Sequence, residues 1–103
     1  MTYIDPIHTS PANYRVLLEN DHVRVLEMNL PAGESDLKHS HPAETVFFIR
    51  GGQVRIHLPD GESAEVDLPD GHVMWHEPWT HQVANVGKSD IRAVIVESKN
   101  GPS

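Results

Sequence analysis

The sequence has no cysteine, and this absence removes disulfides, thiolate metal sites, iron–sulfur clusters and cysteine nucleophiles together. Any metal must therefore be held by histidine nitrogen and by carboxylate or other oxygen ligands. Basic residues are few: 8 Lys and Arg stand against 15 Asp and Glu, for a net charge of −7, and they form no cluster. That excludes a surface that tracks nucleic-acid phosphates. No apolar run approaches the roughly 18 residues needed to cross a bilayer, so no membrane partner is expected. Met1 to Pro11 has no basic start leading into an apolar stretch, so no signal peptide is expected and a cytoplasmic location is the default. A Gly-rich phosphate loop, a serine nucleophile elbow and a nucleotide fingerprint are also missing.

What remains is an ordinary globular composition, 38% apolar and 22% charged over 103 residues. A chain of this length has one core and forms a single domain over residues 1–103. Turn signals at Asn20-Asp21, Pro31-Ala32-Gly33, Gly51-Gly52, Pro59-Asp60-Gly61, Pro69-Asp70-Gly71 and Asn85 to Lys88 cut it into pieces of about 6–12 residues, too short for a set of helices. Between them the period is two. Leu37, His39 and His41 share one face of a predicted strand over Ser35 to His41; Val54, Ile56 and Leu58 share another; Ala64, Val66 and Leu68 a third. Thr45 to Ile49 and Ile91 to Val96 are more continuously apolar and read as strands covered on both faces or as interface strands. Tyr14 to Leu18 and His22 to Leu30 add two more. Eight or so short strands without a helix predict an all-β antiparallel sandwich or barrel. Residues 1–13, with Pro6 and Pro11, read as an extended arm, the last five residues as a frayed tail, and Gly51-Gly52 as a hairpin turn.

The eight histidines carry the chemistry. His39 and His41 are two apart on a strand, so they point the same way about 7 Å apart, a spacing that suits two imidazoles converging on one ion. His81 lies on another predicted strand, sharing a face with Val83 and Asn85, and Glu44 follows His41 by three positions. The stretch from Gly33 through His39-Ser40-His41-Pro42-Ala43-Glu44 to Gly51 resembles the first cupin motif. Pro69-Asp70-Gly71 followed by His81 and Asn85 resembles the second. The resemblance covers about residues 23–97. It implies a small single-domain cupin, an antiparallel jelly-roll β-barrel in which His39, His41, Glu44 and His81 bind one divalent metal. Two features depart from the family pattern. Only two residues separate His41 from Glu44, and Glu77-Pro78-Trp79-Thr80 replaces the proline–glycine turn before the second-motif histidine.

A nitrogen-and-oxygen site suits Fe, Mn, Ni or Zn, and each ligating imidazole needs its second nitrogen anchored by a carbonyl or polar side chain. His76-Glu77 and His81 do not make a zinc-protease helix, because the spacing is one residue too long and Pro78 forbids the helix. His8, His22, His57 and His72 read as solvent-facing. Trp75, Trp79, Met74, Met28, Phe47 and Phe48 are the large side chains available to core, interface or pocket, with Trp79 the preferred pocket wall. Arg24, Arg50 and Arg92 are candidates to fix a substrate carboxylate.

The expected activity is metal-dependent chemistry on a small oxygenated or carboxylated molecule, as a dioxygenase or a metal-assisted isomerase or lyase. In it Glu44 serves as fourth ligand or catalytic proton acceptor. A small-ligand binding or sensing module is the alternative, and a metal that only braces the fold ranks third. The apolar strand Ile91 to Val96, read together with the arm as an edge needing cover, predicts a homodimer.

Overall fold

The computed structural model describes residues 3–99. Nine strands run β1 (Tyr14–Glu19), β2 (Val23–Leu30), β3 (His39–His41), β4 (Glu44–Arg50), β5 (Gly52–His57), β6 (Ser63–Leu68), β7 (Val73–His76), β8 (Trp79–Asn85) and β9 (Ile91–Ser98). A five-stranded sheet, β1-β2-β9-β4-β7, faces a four-stranded one, β3-β8-β5-β6, and every strand pair is antiparallel. This is the expected all-β jelly-roll barrel. The core between the sheets is built from the inward positions of the alternation, among them Leu26 and Leu30 of β2, Val46 and Phe48 of β4, Val54 of β5, and Ile91, Ala93 and Ile95 of β9. Each such side chain contributes about 1.5–3 kcal/mol by leaving water.

The arm differs from its extended reading. Asp5 accepts a hydrogen bond from the Ile7 N–H at 3.0 Å and Pro6 occupies the first turn, so Pro6–Thr9 forms one short helix, α1. The arm also covers its own barrel. The Ser40 N–H donates to the Ile4 carbonyl at 2.6 Å, the Ile4 N–H donates to Ser40 Oγ at 3.1 Å, and the Leu37 N–H donates to Ser10 Oγ at 2.9 Å. The outer edge of β3 is thereby capped from within the chain. Of the tail, residues 100–103 lie outside the described residues, while Lys99 pairs with Glu19 at 2.7 Å.

Three further expectations change. Gly51-Gly52 is not a hairpin turn, because β4 pairs with β7 and β9 while β5 pairs with β6 and β8; the glycines carry the chain from one sheet to the other. A Cβ at Gly51 would stand 1.8 Å from the Leu68 carbonyl oxygen, so the crossing needs a residue without a side chain. The predicted strand from Ser35 shrinks to His39–His41. Before it, Asp36 turns inward and accepts from the Val83 N–H at 2.8 Å, leaving Leu37 57% exposed. Finally, Ile91–Ser98 is the central strand of its sheet, not an edge, bonded to β2 on one side and β4 on the other. Its apolar run and that of Thr45 to Ile49 alternate between core and an outer face on which Phe47, Ile49 and Val96 are exposed.

Candidate metal centre

β3 delivers His39 and His41 to the barrel interior because its outward residue, Ser40, lies under the arm. β8 pairs with β3 so that His81 stands directly opposite His39. All three imidazoles are buried, and each offers one ring nitrogen to a group whose members lie within 4.8 Å of one another. Ring centroids are 4.8 Å apart for His39 and His41, 4.7 Å for His39 and His81, and 5.4 Å for His41 and His81.

Two of the rings are oriented from behind. His39 Nδ1 donates to the Leu37 carbonyl at 2.7 Å, which leaves Nε2 with its lone pair facing the group. His41 Nδ1 donates to Glu97 Oε2 at 2.5 Å, with the same consequence. Glu97 is itself held by Arg24 Nε at 2.9 Å, and the Arg24 guanidinium continues to Asp5 at 3.0 and 3.1 Å. A line of hydrogen-bonded groups thus runs from buried His41 and Glu97 through half-buried Arg24 and Asp5 to the arm. The third ring is different: His81 Nδ1 is buried without a hydrogen-bond partner, a condition that costs about 1–3 kcal/mol. Three buried, lone-pair-bearing nitrogens with an unpartnered neighbour fit a divalent metal of borderline or hard character.

Electrostatics keep the His39 and His81 rings in the ligating form. Burial, reinforced by the neighbouring imidazole of His41, lowers the His39 pKa to about 4; burial and the adjacent His39 and His41 rings lower that of His81 to about 2. On the side that His39 Nε2 faces, the Tyr14 hydroxyl donates to Asp36 Oδ2 at 2.7 Å and lies 3.3 Å from that nitrogen. Burial raises the Asp36 carboxyl to about 6.

These shifts set a pH dependence. Both histidines have folded pKa values below the ordinary 6.5, so the metal-free protein takes up protons on unfolding and loses stability as pH falls from about 6.5 toward 4. Asp36 acts oppositely: its contribution is full below the ordinary 3.8 and is lost as pH rises through about 6, so it offsets part of the histidine effect. The expected loss approaches about 1.4 kcal/mol per pH unit for each net proton. Urea denaturation of chelator-treated protein at pH 7, 6 and 5 measures it. Asp36→Asn should steepen the decline; a profile that is flat in both proteins contradicts the assignment.

Glu44 is brought close but not into the three-histidine group. Its carboxylate is buried in the cavity wall, where Oε2 accepts from the Trp79 indole N–H at 2.5 Å and Oε1 lies 3.8 Å from His41 Nδ1, the ring nitrogen that faces away from the group. Burial raises its pKa, against the lowering effect of His41 and of the Trp79 hydrogen bond. Trp79 lines the cavity, as expected, and His76 stacks on it at 3.6 Å from outside the group. His72 is not simply solvent-facing; it lies against the cavity beside Phe48, ring centroids 6.1 Å apart. Of the other large side chains, Met28, Phe48 and Met74 line the cavity, while Phe47 and Trp75 point outward. The arginines do not serve as expected. Arg24 is committed to Glu97 and Asp5, Arg92 pairs with Glu27 on the outer face, and Arg50 is exposed away from the cavity.

The residues missed in the sequence are Tyr14, Asp36 and Glu97, while Arg24 was singled out for a different role. Glu97 was accessible through the alternation of β9, where it follows Ile91, Ala93 and Ile95 on the inward face. Asp36 was hidden by the break in β3.

Two facing antiparallel sheets with a cavity between them and three histidines converging in its wall define a small barrel of the double-stranded β-helix class. The chain belongs to the cupin family: the cupin domain matches residues 26–97. It is similar to a cupin domain from Bordetella pertussis Tohama I, with 26% identity, coverage of 84% of this chain and 91% of that one, and a TM-score of 0.76. An RmlC-like cupin family protein from Methanocaldococcus jannaschii shares 20% identity over 82% of this chain and 77% of its own, with a TM-score of 0.66. A polyketide cyclase from Streptomyces resistomycificus shares 21% identity over 87% of this chain and 66% of its own, with a TM-score of 0.60. The last two likenesses establish the fold. No curated protein matches the chain. Among the described residues no helix is long and apolar enough to cross a membrane.

Proposed function

We propose that the protein is a metalloenzyme that holds one divalent ion, Fe, Mn, Ni or Zn, on His39, His41 and His81 and acts on a small molecule in the adjoining cavity. The observation that carries this reading is the convergence of three buried ring nitrogens within 4.8 Å, one ring having an unpartnered buried Nδ1. When bound, such an ion supplies Lewis-acid polarisation or oxygen activation. The chain's own groups supply the rest. Leu37 and Glu97 fix the directions of His39 and His41. Glu44 is a proton acceptor rather than a fourth ligand, because its Oε1 lies at the back of His41 and Trp79 holds Oε2, while the residue lines the cavity. Dioxygenation and a metal-assisted isomerase or lyase step both use that arrangement.

The test is metal content of protein purified from its own host, then anaerobic reloading with Fe(II) or Mn(II). About one equivalent per chain supports the reading, and oxygen uptake against small phenols, diketones and keto acids identifies the reaction. Less than a stoichiometric equivalent, unaffected by His39→Ala, overturns it.

We also propose a homodimer, on grounds other than a strand edge. Trp75, Phe47, Val73, Ile49, Leu18 and Val96 are exposed on the outer face of the five-stranded sheet, and strand pairing places Leu18, Val25, Val96, Thr45 and Trp75 in one cross-strand row. A contiguous apolar face of this kind marks an interaction surface. Light scattering should give twice the 11.5 kDa chain mass, and Trp75→Glu combined with Phe47→Glu should return it to one chain. A wild-type monomer at micromolar concentration would sink the idea.

A further inference from the structure

The cavity between the sheets has a volume of about 320 Å³, at the small end of the roughly 300–1,000 Å³ spanned by ligand sites. Its polar groups are gathered at one end: His41, His81, Glu44, the Tyr14 hydroxyl and the Trp79 indole. Away from them the wall is Val46, Phe48, Val54, Ile56, Leu68 and Met74, and His72 beside Phe48 is the one polar side chain there among the described lining residues. Among the described residues no lysine or arginine lines the cavity. The arginine nearest the site by its contacts, Arg24, is turned outward from Glu97 toward Asp5.

From this we infer that the cavity selects an uncharged molecule of one or two rings, with a hydroxyl or carbonyl at one end directed to the histidines and Glu44 and an apolar body along the valine and isoleucine wall. The inference rests on reading this cavity as the active site, and it narrows the substrate class from oxygenated or carboxylated to neutral and ring-bearing. The physical reason is desolvation. An ionised carboxylate placed along this wall finds no cationic side chain, and at the polar end, even beside an ion held by the histidines, it must lie against the buried carboxyl group of Glu44, whereas a hydroxyl there has acceptors and donors within the set. The flat apolar body gains by burial against branched and aromatic side chains.

Equilibrium dialysis with 2-naphthol and 2-naphthoate tests it, on protein as purified and after metal removal. In the metal-free protein 2-naphthol should bind at least about tenfold more tightly than 2-naphthoate. Val54→Phe, which fills the wall, should abolish naphthol binding while leaving metal stoichiometry intact. Val66→Phe provides a second filling variant, because Val66 also lines the cavity and, on the edge strand β6 and 37% exposed, tolerates a larger side chain. Naphthoate binding as tightly as naphthol without metal, or naphthol affinity unchanged in a folded filling variant, overturns the inference. Naphthol binding in a protein that takes up no metal would sustain it and refute the metalloenzyme reading instead. Metal uptake without naphthol binding would refute the inference alone.

Discussion

Replacing His81 by alanine is expected to abolish stoichiometric metal binding while leaving the metal-free protein close to its original stability. The two halves of this result have separate causes. His81 contributes one of three convergent nitrogens, and it is the one supplied by a different strand, so its loss leaves two imidazoles on β3 with no third direction to close the site. In the metal-free protein, however, the same ring is a liability. Its Nδ1 is buried without a partner, which costs about 1–3 kcal/mol, and burial together with two neighbouring rings denies it a charge. Truncation removes that cost and opens a void of comparable cost against the existing cavity, so the net change should stay within about 1–2 kcal/mol. Competition against a chromophoric chelator measures the first effect and urea denaturation the second. A variant that still holds one equivalent of metal would exclude His81 as a ligand.

The second large effect is expected at Glu97, which does not line the central cavity. Glu97→Gln should weaken metal affinity by about 10–100-fold, because the amide presents His41 Nδ1 with a weaker acceptor and can turn its NH₂ toward the ring, releasing the tautomer and orientation that the carboxylate imposes at 2.5 Å. Glu97→Ala should do this and also destabilise the metal-free protein by about 1–3 kcal/mol, because it leaves half-buried Arg24 beside a vacated site with Asp5 as its remaining carboxylate. The difference between the two variants separates orientation from ion pairing. Equal metal affinity in Glu97→Gln and wild type would show that His41 is positioned by β3 alone.

How much of this was legible in the sequence follows from which interactions are local. His39 and His41 were readable because a strand repeats every two residues, and His81, Val83 and Asn85 by the same rule on β8. The barrel was readable because turn residues recur at short intervals. The pairing of those strands was not. Gly51-Gly52 has the composition of a hairpin turn, yet the chain crosses there between sheets, and only the approach to the Leu68 carbonyl explains the glycine. Asp36 and Leu37 exchange inside and outside because Val83 and Tyr14, distant in sequence, bond Asp36. Glu97 and Arg24 lie 73 residues apart, and no local pattern joins them. Nor does period alone say whether an alternating apolar face is covered, as the exposed side chains of β4 and β9 illustrate.

β9 is the last of the nine strands among the described residues but lies between β2 and β4. During synthesis the two halves of the five-stranded sheet cannot join until that strand emerges, so β2 and β4 must each wait with one edge unpaired. The same strand carries the carboxylate that aims His41. A nascent chain long enough to contain all three histidines would therefore still lack a set site, and ion capture should begin only once β9 has threaded into place. Metal loading on ribosome-bound chains of increasing length should accordingly rise in a single late step.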